Sequence, residues 1–140
     1  MLLLERLHPY ILAIAAGIAW YNLALPFPRD EKEFLAAALS FGAIFTGFMA
    51  TAQAILMALP SDTVMAQLKT SGYIETLIEY IATAIYGAMA FCIVNIAGFF
   101  LLKDGTRLPL LYSTLWIALA AFTIFTFVRV ATIMLKIMRH

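Results

Sequence analysis

The charged residues of this chain fall into separate clusters, and the stretches between them are long enough to cross a bilayer. Nine Lys/Arg and eight Asp/Glu residues sit at Glu5 and Arg6; at Arg29 to Glu33; at Asp62, Lys69, Glu75 and Glu79; at Lys103, Asp104 and Arg107; and at Arg129, Lys136 and Arg139. Between them lie four uncharged stretches, 7–28, 34–61, 80–102 and 108–128, none shorter than 21 residues. A hydrocarbon core of about 30 Å takes roughly 20 apolar residues of α-helix. In lipid a helix satisfies its own backbone groups. A spanning barrel needs short alternating segments, and these runs are continuous. The pattern predicts an all-α integral membrane protein, a four-transmembrane-helix bundle with a short interfacial helix between spans two and three.

Composition agrees. Of the 140 residues 64% are hydrophobic, and the mean hydropathy is +0.96. Charged residues make up 12%, where a soluble domain carries roughly 25%. A soluble globular enzyme and a disordered tail are both excluded. The formal net charge of +1 supplies no basic field for phosphates, so direct nucleic-acid binding is excluded as well. The partner this composition requires is the lipid bilayer.

Local signals place the spans at about 9–25, 33–59, 74–102 and 108–136, within a single domain covering 1–140. Pro9 suits a first helical turn, and Pro26-Phe27-Pro28 stops the first span. Asp104-Gly105 marks a tight turn between spans three and four. Ala13-Ile14-Ala15 matches a signal-peptide cleavage pattern, but Met1 to Arg6 is a poor basic leader and the apolar run continues past Ala15. The first span therefore reads as an uncleaved anchor. Four spans put both termini on one side with the loop 61–73. Arg6, Lys69, Arg129, Lys136 and Arg139 fall there, against Arg29, Lys32, Lys103 and Arg107 opposite, which assigns the termini to the cytoplasm.

In the loop 61–73, Ser61 or Asp62 can cap a short helix whose face carries Val64, Met65 and Leu68. Thr70-Ser71-Gly72 ends it, with Gly72 as a left-handed stop. This segment reads either as a connector lying on the membrane surface or as a platform where Val64, Met65, Leu68 and Lys69 dock a cytosolic protein.

Five polar residues enter the membrane from this same side. Glu79 lies roughly 7.5 Å inside the third span, Arg129 about 10 Å inside the fourth and Gln53 about 9 Å inside the second. At 100° per residue, Glu75 and Glu79 share a stripe, as do Arg129 and Lys136. Glu79 is expected to face Arg129, and Glu75 to face Lys136. An intramembrane charge costs about 2.5–3.5 kcal/mol at a helix centre, so pairing is the expected remedy. The layer serves either as structural glue or as an ion or proton gate.

On the other side Ser40, Asn95 and Ser113 lie at similar depths, with Asn95 expected to hydrogen-bond a neighbouring helix. Ala43, Gly47, Ala50 and Ala54 give span two a small-residue face for close helix packing or for a homo-oligomer contact. Tyr10, Trp20, Tyr21, Tyr73 and Tyr112 fall near the interfaces as an aromatic belt.

Catalytic signals are missing. Cys92 is alone, which excludes an intrachain disulfide or dithiol redox centre. His8 and His140 have no metal-ligand spacing. No phosphate-binding glycine loop or nucleophile elbow appears. Residues 9–25 lack the acid that small multidrug exporters carry in their first span. The reading is a non-enzyme without cofactor or metal.

The chain resembles the RexB-type membrane subunits of phage exclusion and bacterial anti-phage systems. The resemblance covers the four-span layout, with Arg29-Asp30 before span two, a loop with Lys69, and Gly72-Tyr73 leading into a span with Tyr80 and Phe91-Cys92. It implies a bacterial inner-membrane effector that a cytosolic sensor triggers to permeabilise the membrane. The expected function is thus an oligomeric permeability effector. The alternatives are a non-conducting anchor that recruits a soluble partner through 61–73, and a phage holin.

Overall fold

The computed structural model describes residues 2–58, 72–102 and 107–138, with side chains described for 7–58, 72, 74–102 and 107–136. Four helices account for nearly all of them: α1 (Leu2–Leu23), α2 (Glu31–Ala58), α3 (Tyr73–Leu101) and α4 (Leu110–Met138). α2, α3 and α4 are each long and apolar enough to cross a membrane, which makes this a multi-pass membrane protein. α1 is not among those three. The interfacial helix expected at 61–73 and the turn at Asp104-Gly105 lie outside the described residues, apart from Gly72 and the backbone of Tyr73.

The helix ends follow from local chemistry. α1 starts at Leu2 rather than at Pro9, which sits inside the helix and is fully buried. Residues 2–8 continue the helix on the N-terminal side of Pro9, and a proline is tolerated within such a helix when its neighbours cover the freed backbone. Past Leu23, Ala24 takes a left-handed φ of 44° and donates its N–H to the Tyr21 carbonyl. The Asp30 carbonyl accepts the N–H of Phe34, placing Asp30 at the N-cap of α2. Glu31 and Glu33 then occupy the first turn, where acids complement the helix dipole. Gly72 has φ 68°, the left-handed conformation expected of it, directly before α3.

The helices are ordered α1, α4, α3, α2 in space, each antiparallel to its neighbour. α1 packs on α4 alone among the described helices. α2 packs chiefly on α3 and touches α4 through Phe45 and Phe48, which meet Phe127 at 4.0 and 5.6 Å between ring centroids. Two apolar clusters fill the interior. One joins Met49, Leu56, Leu77, Tyr80, Ile81, Ala84 and Val130; the other joins Phe27, Leu35, Phe91, Leu108, Tyr112 and Trp116. The outer surface is apolar too, with Ile44, Met57, Phe100, Leu111 and Leu135 all exposed, as lipid solvation allows.

Each main helix seam carries a glycine. A Cβ on Gly17 would lie 3.3 Å from the Ala118 methyl, between α1 and α4. One on Gly42 would lie 2.7 Å from Cys92 Sγ, between α2 and α3, and one on Gly87 would lie 2.7 Å from the Phe122 ring, between α3 and α4. Gly98 lets the Tyr112 ring cross α3, where a Cβ would overlap the Tyr112 hydroxyl and sit 2.8 Å from Leu35 Cδ1.

The small-residue face expected to pack α2 is different from the one used. Ala43, Gly47, Ala50 and Ala54 are all exposed, and nothing lies within 4 Å of a Cβ built on Gly47. The buried stripe of α2 runs through Glu31, Leu35, Gly42, Met49, Ala52 and Leu56. Five residues separate Gly42 from Gly47, which turns them roughly 140° apart on a helix.

These seams make opposite predictions for two glycines. Gly98→Ala should destabilise the protein by about 1–3 kcal/mol through overpacking. Gly47→Ala should leave the chain's own stability unchanged. Unfolding of detergent-solubilised protein, followed by helical circular dichroism, separates the two.

Candidate functional site

Two polar levels cross the bundle near opposite ends of α3. The first is centred on Arg129 and Tyr80. The Arg129 guanidinium carbon lies 3.8 Å from the centroid of the Tyr80 ring, and Arg129 is half-buried. Tyr80 is itself buried, within the cluster of Leu77, Ile81 and Val130. The ring face is the negative pole of the aromatic quadrupole, so the stacked cation gains about 0.5–2 kcal/mol. That offsets part of the cost of bringing a charge into the apolar interior. Glu79 precedes Tyr80 and is exposed; neither Glu79 nor Arg129 stands free of partners. The Glu79 carbonyl also accepts the Thr83 hydroxyl at 2.7 Å. Gln53 is half-buried on α2, five residues before its end at Ala58.

Glu75 and Lys136 do not extend this level. Both are exposed, and no ion pair joins them. They sit near helix ends, where hydration of each charge competes successfully with a pair worth about 0–1 kcal/mol. Tyr80 as a cation platform was not expected; its signal is its position next to Glu79 at the depth of Arg129.

The second level is centred on Trp116. Its indole N–H donates to Asn95 Oδ1 at 3.0 Å, and the Asn95 amide donates to the Phe91 carbonyl at 2.8 Å. Asn95 is completely buried. The interhelical hydrogen bond expected of it is therefore formed, with α4. Tyr112 donates its hydroxyl to the Val94 carbonyl at 2.8 Å, through the gap left by Gly98. Trp20 of α1 donates to the Ser113 hydroxyl at 3.3 Å, which donates in turn to the Leu110 carbonyl. The rings of Phe27, Phe34 and Phe91 approach Trp116 at 5.5, 5.2 and 5.2 Å.

One expectation is corrected here. Tyr112 is a buried interior residue rather than part of an interfacial belt, because its hydroxyl finds a carbonyl on α3. Ser40 is exposed and bonds the Ala36 carbonyl of its own helix. Glu31 was missed: it is buried, and its carboxylate accepts the Leu108 N–H at 3.4 Å, tying the start of α2 to the entry of α4. The signal was available, because Glu31 lies four residues before buried Leu35 on one helical face.

Other expected features are more isolated. His8 packs edge-on to Phe125 at 6.1 Å. Cys92 Sγ lies 3.9 Å from the Leu39 carbonyl. Among the described residues no group of three or more His, Cys, Asp or Glu is placed to hold a metal ion. Val64, Met65, Leu68 and Lys69, the expected docking residues, lie outside the described residues.

The second level should behave as a stability element. Asn95→Leu should cost about 1–2 kcal/mol, because it strands the buried Trp116 N–H. Adding Trp116→Phe should restore part of that loss, and a double-mutant cycle on unfolding free energies measures the coupling.

No protein-family model, curated protein or solved structure matches this chain.

Proposed function

We propose that this protein is a small membrane effector that changes the permeability of the bilayer it spans, with the Arg129–Tyr80–Glu79 level as its gate. The observation that carries this reading is a half-buried arginine stacked on a buried tyrosine, in helices apolar enough to cross a membrane. Ionisable side chains at membrane depth are expensive, and they commonly mark pathways for ions or protons. The acidic residue beside this level would favour cations over anions.

In this reading α1 is the fourth span, the segment 61–73 lies at the membrane surface, and both termini face the cytoplasm of a bacterial inner membrane. Several copies assemble, with Ala43, Gly47, Ala50 and Ala54 as a face for contact between copies. A cytosolic partner docks through Val64, Met65, Leu68 and Lys69 and triggers opening. The resemblance to phage-exclusion subunits supplies the setting, which is the arrest of infected cells.

A second reading has one observation in its favour. Leu35, Met49, Leu77, Ile81 and Val130 are all fully buried, so the interior of a single copy is tightly filled. A non-conducting anchor that recruits a soluble protein needs nothing more.

Membrane potential in cells, read on controlled expression alone and with the products of adjacent genes, separates the two readings. The effector depolarises the cells rapidly. Glu79→Gln and Arg129→Gln, at equal protein level, change the rate of depolarisation without abolishing insertion. An absence of depolarisation under every pairing would overturn the effector in favour of the anchor.

A further inference from the structure

Two outer faces of the bundle are uneven in opposite ways. On α2, Ser40, Ala43, Gly47, Ala50 and Ala54 are all exposed, and a Cβ built on Gly47 would meet nothing within 4 Å. This face is a shallow groove. On α3 the outward face carries Tyr86 and Ile93, which are 71% and 63% exposed. Seven residues, two helical turns, separate them along one side of the helix, so they form a ridge.

The groove and the ridge lie at the same depth. Gly42 of α2 packs against Phe91 of α3, and Leu35 packs against Gly98. The two helices are antiparallel, so each step forward on α2 matches a step back on α3. Gly47 is therefore level with Tyr86, Ala43 with Ala90 and Ser40 with Ile93. Within one copy they cannot meet, because both faces point outward.

Tyr86 is also out of place for a lipid-facing residue. It sits 13 residues from Tyr73 and 15 from Leu101, roughly 20 Å from either end of α3. Its hydroxyl cannot reach the membrane interface, where tyrosines ordinarily settle. It makes no hydrogen bond among the described residues. A hydroxyl left in hydrocarbon without a partner is costly. Side chains on a helix lean toward its N-terminus, which carries the Tyr86 hydroxyl to the level of Thr51 on α2. Thr51 is exposed, and its own proton is committed to the Gly47 carbonyl at 2.9 Å, which leaves its oxygen lone pairs as acceptors.

We propose that the Ser40–Gly47–Ala54 groove of one copy receives the Tyr86–Ile93 ridge of a second copy, with the Tyr86 hydroxyl donating to Thr51 Oγ1. This rests on the assembly of copies in the reading above, supplies the other half of that contact, and requires nothing of the gate. Copies inserted the same way keep their depths, so the Tyr86 ring arrives at Gly47 and Ile93 at Ser40. Close approach over small residues and a directed hydrogen bond are the forces that join helices in lipid. The contact is heterologous. Each copy offers its groove to one neighbour and its ridge to the other, so copies add head to tail into a ring or a chain.

The test uses the full chain in vesicles of phosphatidylethanolamine and phosphatidylglycerol, with Cys92→Ser as the background. Copies carrying Ser40→Cys are mixed with copies carrying Ile93→Cys, told apart by tags of different size. Mild oxidation should join the two kinds by a disulfide, and each kind alone should cross-link at least tenfold less. Either kind joining its own copies as readily overturns the head-to-tail contact in favour of a symmetric one. No cross-link at all overturns it outright. Energy transfer between labelled copies, diluted with lipid, weighs the individual contacts. Tyr86→Phe should weaken association about threefold, the scale of one intramembrane hydrogen bond. Gly47→Leu fills the groove and should weaken it tenfold or more, and adding Tyr86→Ala should recover part of that loss. Helical circular dichroism should match wild type in each variant. Association unchanged in both Tyr86→Phe and Gly47→Leu overturns the proposal. Membrane potential reports on permeability separately: depolarisation without the cross-link keeps the effector and removes this contact, and the cross-link without depolarisation keeps the contact in an anchor.

Discussion

The hydrogen bond from Trp116 to Asn95 is the contact on which the rest of the architecture converges. It joins α4 to α3 in a fully buried setting, where an unpaired indole N–H or side-chain amide is costly. Three aromatic rings from three different segments close around the same indole: Phe27 from the α1–α2 connection, Phe34 from α2 and Phe91 from α3. In lipid there is no strong hydrophobic force between apolar helices, so register has to come from packing and from a few directed bonds. The indole supplies both. Tyr112, one turn away, repeats the device through the Val94 carbonyl, and Gly98 is the residue that makes room for it.

The glycine seams follow the three main helix pairings, while α2 also reaches α4 through Phe45 and Phe48 on Phe127. Gly17, Gly42 and Gly87 each serve one neighbouring pair, α1–α4, α2–α3 and α3–α4. α1 has no seam with α2, and its outer face bears Ile11, Ile14 and Ile18, all exposed. α1 is thus held through one face only, by Trp20 on Ser113, Tyr10 on Phe122 and His8 on Phe125. A helix held by one face can move relative to the others at a lower cost than one held by two.

The gaps between charges were sufficient to read the helices, because length and apolarity alone decide whether a segment can cross a bilayer. The level of Asn95 and the left-handed Gly72 were also legible, since each depends on local spacing. The packing face of α2 was not. Gly42 and Gly47 both sit in runs of small residues, and only the partner helix decides which run faces inward. Glu31 falls in a charged connection by sequence, although its register with Leu35 and Gly42 puts it on the buried stripe. A charge in a cluster invites a solvated reading, and a contact 77 residues away in the chain gives no local sign of itself. Tyr112 was obscured for a related reason: an aromatic near a helix start suits a membrane interface equally well, until a glycine on the opposing helix opens a way inward.

The two polar levels differ in a way that assigns them different work. Around Trp116 the interhelical bonds are neutral, and the central one, from Trp116 to Asn95, is buried, so breaking it strands a polar group in an apolar core. Such a network resists change and keeps α3 and α4 in register. Around Arg129 the groups are charged, the arginine is half-buried, and Glu79 is exposed. A guanidinium over a ring face holds its place by a weakly directional attraction. It can therefore slide or change partners without stranding a donor in the way an indole would. If one end of the bundle is to stay fixed while the other rearranges, the arrangement already provides it: a hydrogen-bonded clasp at the Trp116 end and a stacked, partly exposed cation at the other.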